Sequence, residues 1–175
     1  MRKPFIATII ILILHPVFAT AAILHFYNHP RLPQAIYHVG IEYQGSFFEA
    51  DTREGGRKIP LSAMKEAGHS QIEIPDTLVD KELLHSQLGW PFDYEFRWDN
   101  QKTYCSELVG IALNLPTSPV DFANTHYLRF YPDWIHRRDP GISPDAIWLF
   151  GLQHGRILQH QIPGLPTTLH VKTNF

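Results

Sequence analysis

The chain has 175 residues, of which 44% are hydrophobic and 13% are aromatic. This length and apolar content allow one domain with a substantial core and leave little room for a second domain. The formal net charge is −2, with acidic and basic residues interspersed, so the sequence lacks the basic footprint of a nucleic-acid-binding protein.

The N-terminus has the pattern of a secretory signal peptide over residues 1–21. Two basic residues precede an apolar run, and Ala19-Thr20-Ala21 supplies a small-x-small cleavage site. An uncleaved membrane anchor is the alternative, because apolar character resumes at residues 22–24, although His15-Pro16 interrupts the run and favours the cleaved peptide. The pattern therefore predicts export to the periplasm or the extracellular space, or anchoring to the membrane.

A linker is predicted over residues 22–34, because turn-forming residues are frequent just before residue 34. The folded domain is then predicted to span residues 35–175. It begins with a β-hairpin, since residues 35–43 alternate in character, Gln44-Gly45 fits a tight turn, and residues 46–51 return.

The turn of this hairpin decides which side chains share a face. With a two-residue turn, Gly40 faces Glu49 and His38 faces Asp51, so His38, Glu49 and Asp51 lie on one side. A three-residue turn would place Glu49 on the opposite side. We prefer the two-residue turn because it also gathers an apolar set on the other face, namely Val39, Ile41, Phe48 and Ala50.

The next segment is predicted to alternate between loops and short elements. Residues 51–58 are polar and glycine-bearing, typical of a loop, residues 60–67 suit a short helix, and residues 71–74 alternate like a strand. Asp76 is predicted to cap a helix that ends at Gly89.

Residues 90–100 form an aromatic and acidic stretch. Packing is the simpler interpretation, because aromatic side chains usually fill cores. The functional interpretation is one wall of a substrate cleft, with the hydroxyl of Tyr94 or Tyr104 near a reacting carbonyl.

Cys105, the single cysteine, is predicted to lie in the first turn of a helix. Leu108, Val109, Ala112 and Leu115 follow with helical spacing. Backbone N–H groups and the positive end of the helix dipole at such a start favour the thiolate, whereas the neighbouring Glu107 disfavours it, so the thiol needs a base. In an exported domain this thiol has no internal disulfide partner and is either buried or available to react.

The C-terminal third is predicted to be rich in loops between residues 115 and 144, with one or two strands between residues 157 and 171. Its histidines His154, His160 and His170 have no spacing typical of a metal site, and no second cysteine supports one. We therefore predict solvated histidines, no metal and no cofactor.

Two motifs resemble the NlpC-type cysteine hydrolases. Tyr-Cys-Ser-Glu-Leu-Val at residues 104–109 is similar to the Asp-Cys-Ser-Gly-Leu-Val segment that opens their catalytic helix, and residues 88–94 resemble their Gly-x-Pro-Tyr element. The best histidine here precedes the cysteine. This order resembles the circularly permuted branch, the YiiX/YaeF-like permuted papain-like enzymes, as do His-Val-Gly-Ile at residues 38–41, Phe-Glu-Ala at residues 48–50 and, more weakly, residues 142–147.

The resemblance implies an α+β fold of the circularly permuted papain-like (NlpC) type, in which an antiparallel sheet packs against the helix that bears the nucleophile. It also implies that Cys105 is the nucleophile, His38 the base and Glu49 the residue that orients the imidazole. Asp51 takes the place of Glu49 if the turn register differs. Two departures from the family are the absence of a Gly-Asp-Ile-type opening strand in residues 22–34 and the presence of Phe92 where non-permuted relatives carry tyrosine.

The expected reaction is hydrolysis through an acyl-enzyme, and an amide is the leading substrate, such as a cell-wall peptide. A lipid thioesterase or acyltransferase at a membrane is the second interpretation. A non-catalytic binding module that keeps the cleft is the third, and it would gain support if Cys105 were buried or far from His38.

Overall fold

The computed structural model describes residues 21–29, 32–64, 69–98, 100–119 and 140–168. The predictions for residues 1–20, 120–139 and 169–175 lie outside these ranges. The strands described are β1 (Ala21–His29), β2 (Leu32–Tyr43), β3 (Ser46–Asp51), β4 (Gly55–Pro60), β5 (Ser70–Pro75), β6 (Ser118–Pro119), β7 (Pro140–Gly141) and β8 (Arg156–Gln159). The α-helices described are α1 (Lys81–Ser86), α2 (Cys105–Ala112) and α3 (Pro144–His154).

Within the described part of the chain, six strands form one antiparallel sheet in the order β4-β3-β2-β1-β5-β8, and β6 pairs with β7. Helices α2 and α3 pack against this sheet. The core lies between them, where Leu24, Ile41 and Ile72 of the sheet join Leu108 of α2 and Trp148 of α3. The predicted combination of an antiparallel sheet with packed helices is confirmed.

The predicted hairpin forms with the two-residue turn. Residues Gln44 and Gly45 both have positive φ, 48° and 74°, as the turn types that match the twist of a hairpin require. The ladder pairs Tyr43 with Ser46 and Ile41 with Phe48. The apolar set predicted to share a face is buried in the core, namely Val39, Ile41, Phe48 and Ala50.

The predicted linker at residues 22–34 is wrong. Strand β1 lies between β2 and β5, and Ala22, Leu24 and Phe26 are fully buried. The folded domain therefore includes β1 and starts before residue 35. From Leu24 to Tyr27 every residue of β1 is buried, so this part of the strand does not alternate between apolar and polar residues. This strand also occupies the segment in which no opening strand was expected.

Half of the loop predicted at residues 51–58 belongs to strand β4, which pairs with β3 at the edge of the sheet. Its two glycines allow close backbone contact with the loop after α1. The Gly56 N–H donates to the Trp90 carbonyl at 2.8 Å, and the Gly89 N–H donates to the Gly56 carbonyl at 2.8 Å. This contact attaches the edge of the sheet to the chain that leads into α2.

The predicted helix between Asp76 and Gly89 is shorter than expected. Asp76–Leu78 forms a 3₁₀ turn, and α1 is capped by Asp80, whose carboxylate accepts from the Leu83 N–H at 3.0 Å. The strand predicted at residues 71–74 is confirmed as β5. Of the helix predicted at residues 60–67, the described part is a 3₁₀ turn at Leu61–Ala63.

The C-terminal elements close the core. Helix α3 begins at Pro144 and is capped by Ser143, whose hydroxyl accepts from the Ala146 N–H. Strand β8 agrees with the strand predicted after residue 157 and pairs with β5. None of the helices in the described ranges is long and apolar enough to cross a membrane.

Candidate active site

Cys105 is the first residue of α2, as predicted. The preceding Tyr104 is extended, with φ −117° and ψ 167°, and serves as the N-cap without a side-chain hydrogen bond. The helix is anchored by Leu108, Val109 and Ala112, which are fully buried. This packing places the sulfur at the positive end of the helix, where it lines a cleft although only 7% of the residue is exposed.

Two buried side chains connect the start of α2 to the preceding loop. Gln87 donates to the Leu108 carbonyl at 3.1 Å and accepts from the Thr103 hydroxyl at 2.9 Å. Both Gln87 and Thr103 are fully buried, so these bonds have no competition from water. The sequence carries no local signal for this pairing, because the two residues are 16 positions apart.

The start of α2 is also connected to the segment before α3. The Ser106 hydroxyl donates to the Ile142 carbonyl at 2.8 Å, and the Ile142 N–H donates to the Tyr104 hydroxyl at 3.1 Å. Burial raises the pKa of Tyr104 far above its usual value. Tyr104 is fully buried, and its hydroxyl supports the segment before α3. The structure gives no support for the predicted place of this hydroxyl near a reacting carbonyl.

His38 reaches the site from β2 at a point where the sheet becomes irregular. The regular pairing of β1 with β2 continues to Tyr27 opposite His38, and the register shifts directly afterwards. The His38 Nε2 atom lies 2.7 Å from the Glu49 Oε2 atom. His38 and Glu49 therefore share one face of the hairpin and touch, as the two-residue turn predicts.

Cys105 and His38 line the same cleft and interact, because each shifts the pKa of the other. Because Nε2 of His38 is bonded to Glu49, Nδ1 is the ring nitrogen that remains for the sulfur. Burial by itself raises the pKa of the Cys105 thiol. The hydrogen bond and charge of His38, with backbone hydrogen bonds at Val39 and Ser106, outweigh burial and hold this pKa below its usual value.

The pKa of His38 changes in the opposite direction. Burial lowers it, but the hydrogen bonds and negative charges of Cys105 and Glu49 outweigh burial and raise the pKa to about 9. A lowered thiol pKa and a raised imidazole pKa both favour a thiolate beside an imidazolium. The three predicted site residues thus lie in one cleft and form a chain of interactions from Cys105 through His38 to Glu49.

Arg57 completes this chain and was not found from the sequence. Its Nη2 and Nε atoms donate to Glu49 Oε1 at 2.5 and 3.0 Å. The pKa of Glu49 is raised by burial, but the hydrogen bonds and charges of His38 and Arg57 outweigh burial and lower it. Asp51, the predicted substitute, instead accepts from the Arg53 and Glu54 N–H groups at 2.8 and 3.2 Å, and so fixes the β3–β4 turn.

Two tyrosine rings lie beside the imidazole of His38. The ring centroids of Tyr27 and Tyr37 lie 5.3 and 6.1 Å from that of His38. An aromatic face attracts a cation at this range, so both rings suit an imidazolium. Tyr27 was missed because its strand was predicted to be a linker.

The site opens into a cleft of about 800 Å³. Its apolar lining includes Phe47, Ile59, Ala63, Met64, Phe92 and Phe96, and its charged lining includes Asp51, Arg53, Glu54 and Arg57. Phe92 and Phe96 belong to the aromatic stretch at residues 90–100, so the prediction that this stretch forms a cleft wall agrees with the structure. The Tyr94 hydroxyl donates to the Thr52 carbonyl.

One solved structure resembles this arrangement of strands and helices. It is the crystal structure of metalloprotein YiiX from Escherichia coli O157:H7, which matches with a TM-score of 0.52 and 15% sequence identity over 82% of this chain and 97% of that chain. The chain has a YiiX-like fold. No protein-family model and no curated protein sequence matches it.

The described ranges of this chain contain no cluster of side chains suited to bind a metal ion. No three of its His, Cys, Asp and Glu side chains there are grouped so that they could hold a metal ion. Of the three histidines considered from the sequence, His154 is exposed and His160 half-buried, and His170 lies outside the described residues.

Proposed function

We propose that the chain is an exported cysteine hydrolase with a circularly permuted papain-like fold of the NlpC type. In this proposal Cys105 is the nucleophile, His38 the general base and acid, and Glu49 the residue that orients the imidazole. The observation that carries the proposal is that Cys105, His38 and Glu49 line one cleft, where His38 is bonded to Glu49 and interacts with the Cys105 thiol. Nucleophile, base and orienting group in this order are the requirements of covalent acyl transfer.

The reaction would proceed in two balanced steps. The Cys105 thiolate attacks the carbonyl carbon of the substrate, the new C–S bond forms, and the carbonyl electrons move to oxygen. The oxyanion collapses, the bond to the leaving group breaks, and the His38 imidazolium gives its proton to that group. Water then attacks the acyl-enzyme while His38 takes its proton, and the C–S bond breaks to release the acid and restore the thiolate.

The start of α2 would stabilise the oxyanion. The backbone N–H of Cys105 is among the first N–H groups of the helix, which lack an intrahelical acceptor. One such donor contributes about 3 kcal/mol to transition-state stabilisation in well-studied enzymes. The same helix end favours negative charge on the sulfur before the attack.

Two classes of substrate are candidates. An amide is the first candidate, because the resemblance to NlpC-type hydrolases implies one. An acyl ester or thioester of a lipid is the second candidate, and it is favoured by the apolar lining at Phe47, Ile59 and Met64. A binding module without catalysis is the third candidate, and the burial of Cys105 favours it. The position of Cys105 in the same cleft as His38 favours catalysis instead.

YiiX is described as a metalloprotein, and the residues of this chain do not fit that property. The described residues offer no group of three potential ligands, and the Glu49 carboxylate is already bonded to both His38 and Arg57. A positive guanidinium beside Glu49 also opposes cation binding. We therefore derive no step through a metal.

Export remains part of the proposal. Cleavage after Ala21 would release a chain that begins at Ala22, the first buried residue of β1. Expression of the full chain in a bacterium, followed by fractionation and N-terminal sequencing, tests it. A periplasmic chain starting at Ala22 would support the cleaved signal, and an intact chain in the membrane fraction would support the anchor.

The catalytic proposal is tested by the rate of iodoacetamide labelling of Cys105 as a function of pH. An ordinary thiol has a pKa near 8.5, so at about pH 6 a fully formed thiolate would label about 300 times faster than an ordinary thiol. We expect rapid labelling of the wild type at this pH and a loss of about that size in His38→Ala. His154→Ala, at the far end of α3, is the matched control and should label like the wild type.

Slow labelling of the wild type with an ordinary thiol profile, unchanged by His38→Ala, would refute the catalytic arrangement. If the thiolate is activated, turnover of peptide p-nitroanilides can be compared with turnover of acyl thioesters of increasing chain length. A preference for anilides supports the amidase. A rise in kcat/KM with chain length supports the acyl hydrolase, and Cys105→Ser should abolish either activity.

A further inference from the structure

Arg57 lies directly opposite Glu49, because β3 and β4 pair in a register that places the two residues side by side. All three nitrogens of the guanidinium are used. Nε and Nη2 donate to Glu49 Oε1, Nη2 also lies 3.3 Å from Asp51 Oδ2, and Nη1 lies 3.1 Å from Glu54 Oε2. Three carboxylates therefore hold the guanidinium, and the guanidinium holds Glu49.

The two oxygens of Glu49 have separate partners. Oε1 accepts from Arg57, and Oε2 lies 2.7 Å from Nε2 of His38. A carboxylate bound by two donors on one oxygen cannot rotate freely, so its other oxygen stays aimed at the imidazole. Arg57 is bonded to Glu49 and the other carboxylates, so it acts on the reacting sulfur through Glu49 and His38.

Resting on the proposed function, we propose that Arg57 is a positioning residue that locks the Glu49 carboxylate so that one oxygen is always presented to His38. The imidazole is thereby held with Nδ1 toward Cys105. The geometry of a paired strand, a guanidinium fork and a divided carboxylate carries this proposal. Arginine suits the role because its planar fork donates in fixed directions, whereas lysine offers a single flexible ammonium.

The positioning role and a simple charge effect give opposite results for His38. If Arg57 only supplied positive charge, its removal would raise the pKa of both His38 and Cys105, because a cation near each group would be lost. If Arg57 positions Glu49, its removal weakens the bond from Glu49 to His38. The pKa of His38 then falls while that of Cys105 rises. Other titratable and charged groups surround His38 and Glu49 in the described part of the chain. They include Tyr27 of β1, Tyr37 of β2, Asp51 of β3, and Arg53 and Glu54 of the β3–β4 turn.

The experiment compares Arg57→Gln, Arg57→Lys and the wild type in the mature protein. Ultraviolet absorbance of the thiolate gives the pKa of Cys105, an NMR titration of the imidazole gives that of His38, and iodoacetamide is the chemical probe. In Arg57→Gln we expect the thiol pKa to rise and the imidazole pKa to fall by about one unit each, with labelling at about pH 6 about tenfold slower. Arg57→Lys should fall between Arg57→Gln and the wild type.

Lys58→Gln is the matched control, because Lys58 is exposed and is the next residue of β4. The substitution removes the same positive charge as Arg57→Gln. It should leave both pKa values and the labelling rate unchanged. If the pKa values of Cys105 and His38 both rise equally in Arg57→Gln, Arg57 acts only through its charge and the positioning role is refuted. If neither pKa changes, Arg57 has no role in tuning the site. If Arg57→Gln does not fold, Arg57→Lys is the deciding variant. Wild-type pKa values of Cys105 and His38 in Arg57→Lys would show that the guanidinium of arginine is not needed, and would overturn the proposal.

Failure of this proposal is distinguishable from failure of the proposed function. If the wild-type thiol titrates as an ordinary cysteine and ignores His38→Ala, the hydrolase itself is refuted. If the wild type shows the thiolate and imidazolium and Arg57→Gln leaves them intact, only the positioning role of Arg57 is lost.

Discussion

The site is assembled from two halves that are stabilised in different ways. The base half consists of β2, β3 and β4, in which His38, Glu49 and Arg57 are joined by ionic hydrogen bonds. Glu49 is buried, whereas His38 and Arg57 are only partly buried. The nucleophile half consists of α2 and the loop before it, in which Gln87 and Thr103 bond through uncharged groups and are fully buried. We infer that pH should tune the base half, whereas packing and desolvation fix the position of the sulfur.

The two halves meet at β4, so the largest effect should come from disturbing that contact. Gly55 and Gly45 have nearly the same φ, 73° and 74°. A Cβ on Gly55 would lie 2.0 Å from the Trp90 carbonyl oxygen, whereas a Cβ on Gly45 would have nothing within 4 Å. We expect Gly45→Ala to lower the free energy of unfolding by about 1 kcal/mol through backbone strain. Gly55→Ala should cost about 3 kcal/mol, because overpacking is added to the same strain.

Urea unfolding of both variants at neutral pH measures this difference. Equal losses in the two variants would mean that β4 separates from the Trp90 loop without cost. The two halves would then be less firmly joined than the backbone hydrogen bonds indicate.

Replacement of Gln87 by methionine tests the nucleophile half. The substitution keeps the size of the side chain but leaves the Thr103 hydroxyl and the Leu108 carbonyl without their buried partner. We expect a loss of about 2 kcal/mol in unfolding free energy, of equal size at neutral and acidic pH. The pH profile of Cys105 labelling should stay unchanged, and a shift of that profile would show that Gln87 also tunes the thiol.

Glu49→Gln tests the base half in the same assay. The pKa of Glu49 in the folded protein is lowered from 4.5, because His38 and Arg57 outweigh burial. A lowered carboxyl pKa contributes stability above the unfolded pKa, and this stability is lost as the pH falls through the folded pKa. We expect Glu49→Gln to be about 1.5 kcal/mol less stable than the wild type at neutral pH. This difference in stability should vanish once the pH is below the pKa of Glu49 in the folded protein. A difference that persists in acid would contradict the ionic origin of this half.

Tyr94→Phe should have the smallest effect. Its hydroxyl joins the aromatic loop to the β3–β4 turn by donating to the Thr52 carbonyl, but 60% of Tyr94 is exposed. Water can replace the lost bond, so we expect a change below about 0.5 kcal/mol. Thermal unfolding measures it, and a larger loss would identify this bond as a second firm connection between the halves.

Much of the site could be predicted from local sequence patterns. Cys105 begins a helix because apolar residues follow it at helical spacing, and strand alternation with a two-residue turn aligns His38 with Glu49. Arg57 could not be found this way, because Gly55-Gly56-Arg57-Lys58 has the composition of a loop. It is a strand because Gly55 and Gly56 lie against the backbone after α1, a contact between segments distant in sequence.

The sequence by itself determined the helix start at Cys105, the hairpin turn and its register, because these depend on periodicity and on φ preferences within a few residues. The tertiary structure decided that β1 is a central strand, that Asp80 rather than Asp76 caps α1, and that Arg57 and Tyr27 flank the His38–Glu49 pair. These outcomes depend on which surfaces are buried against each other and on which buried polar groups find partners. Residues distant in sequence determine which surfaces are buried and which polar groups are paired, and only the folded chain brings these residues together.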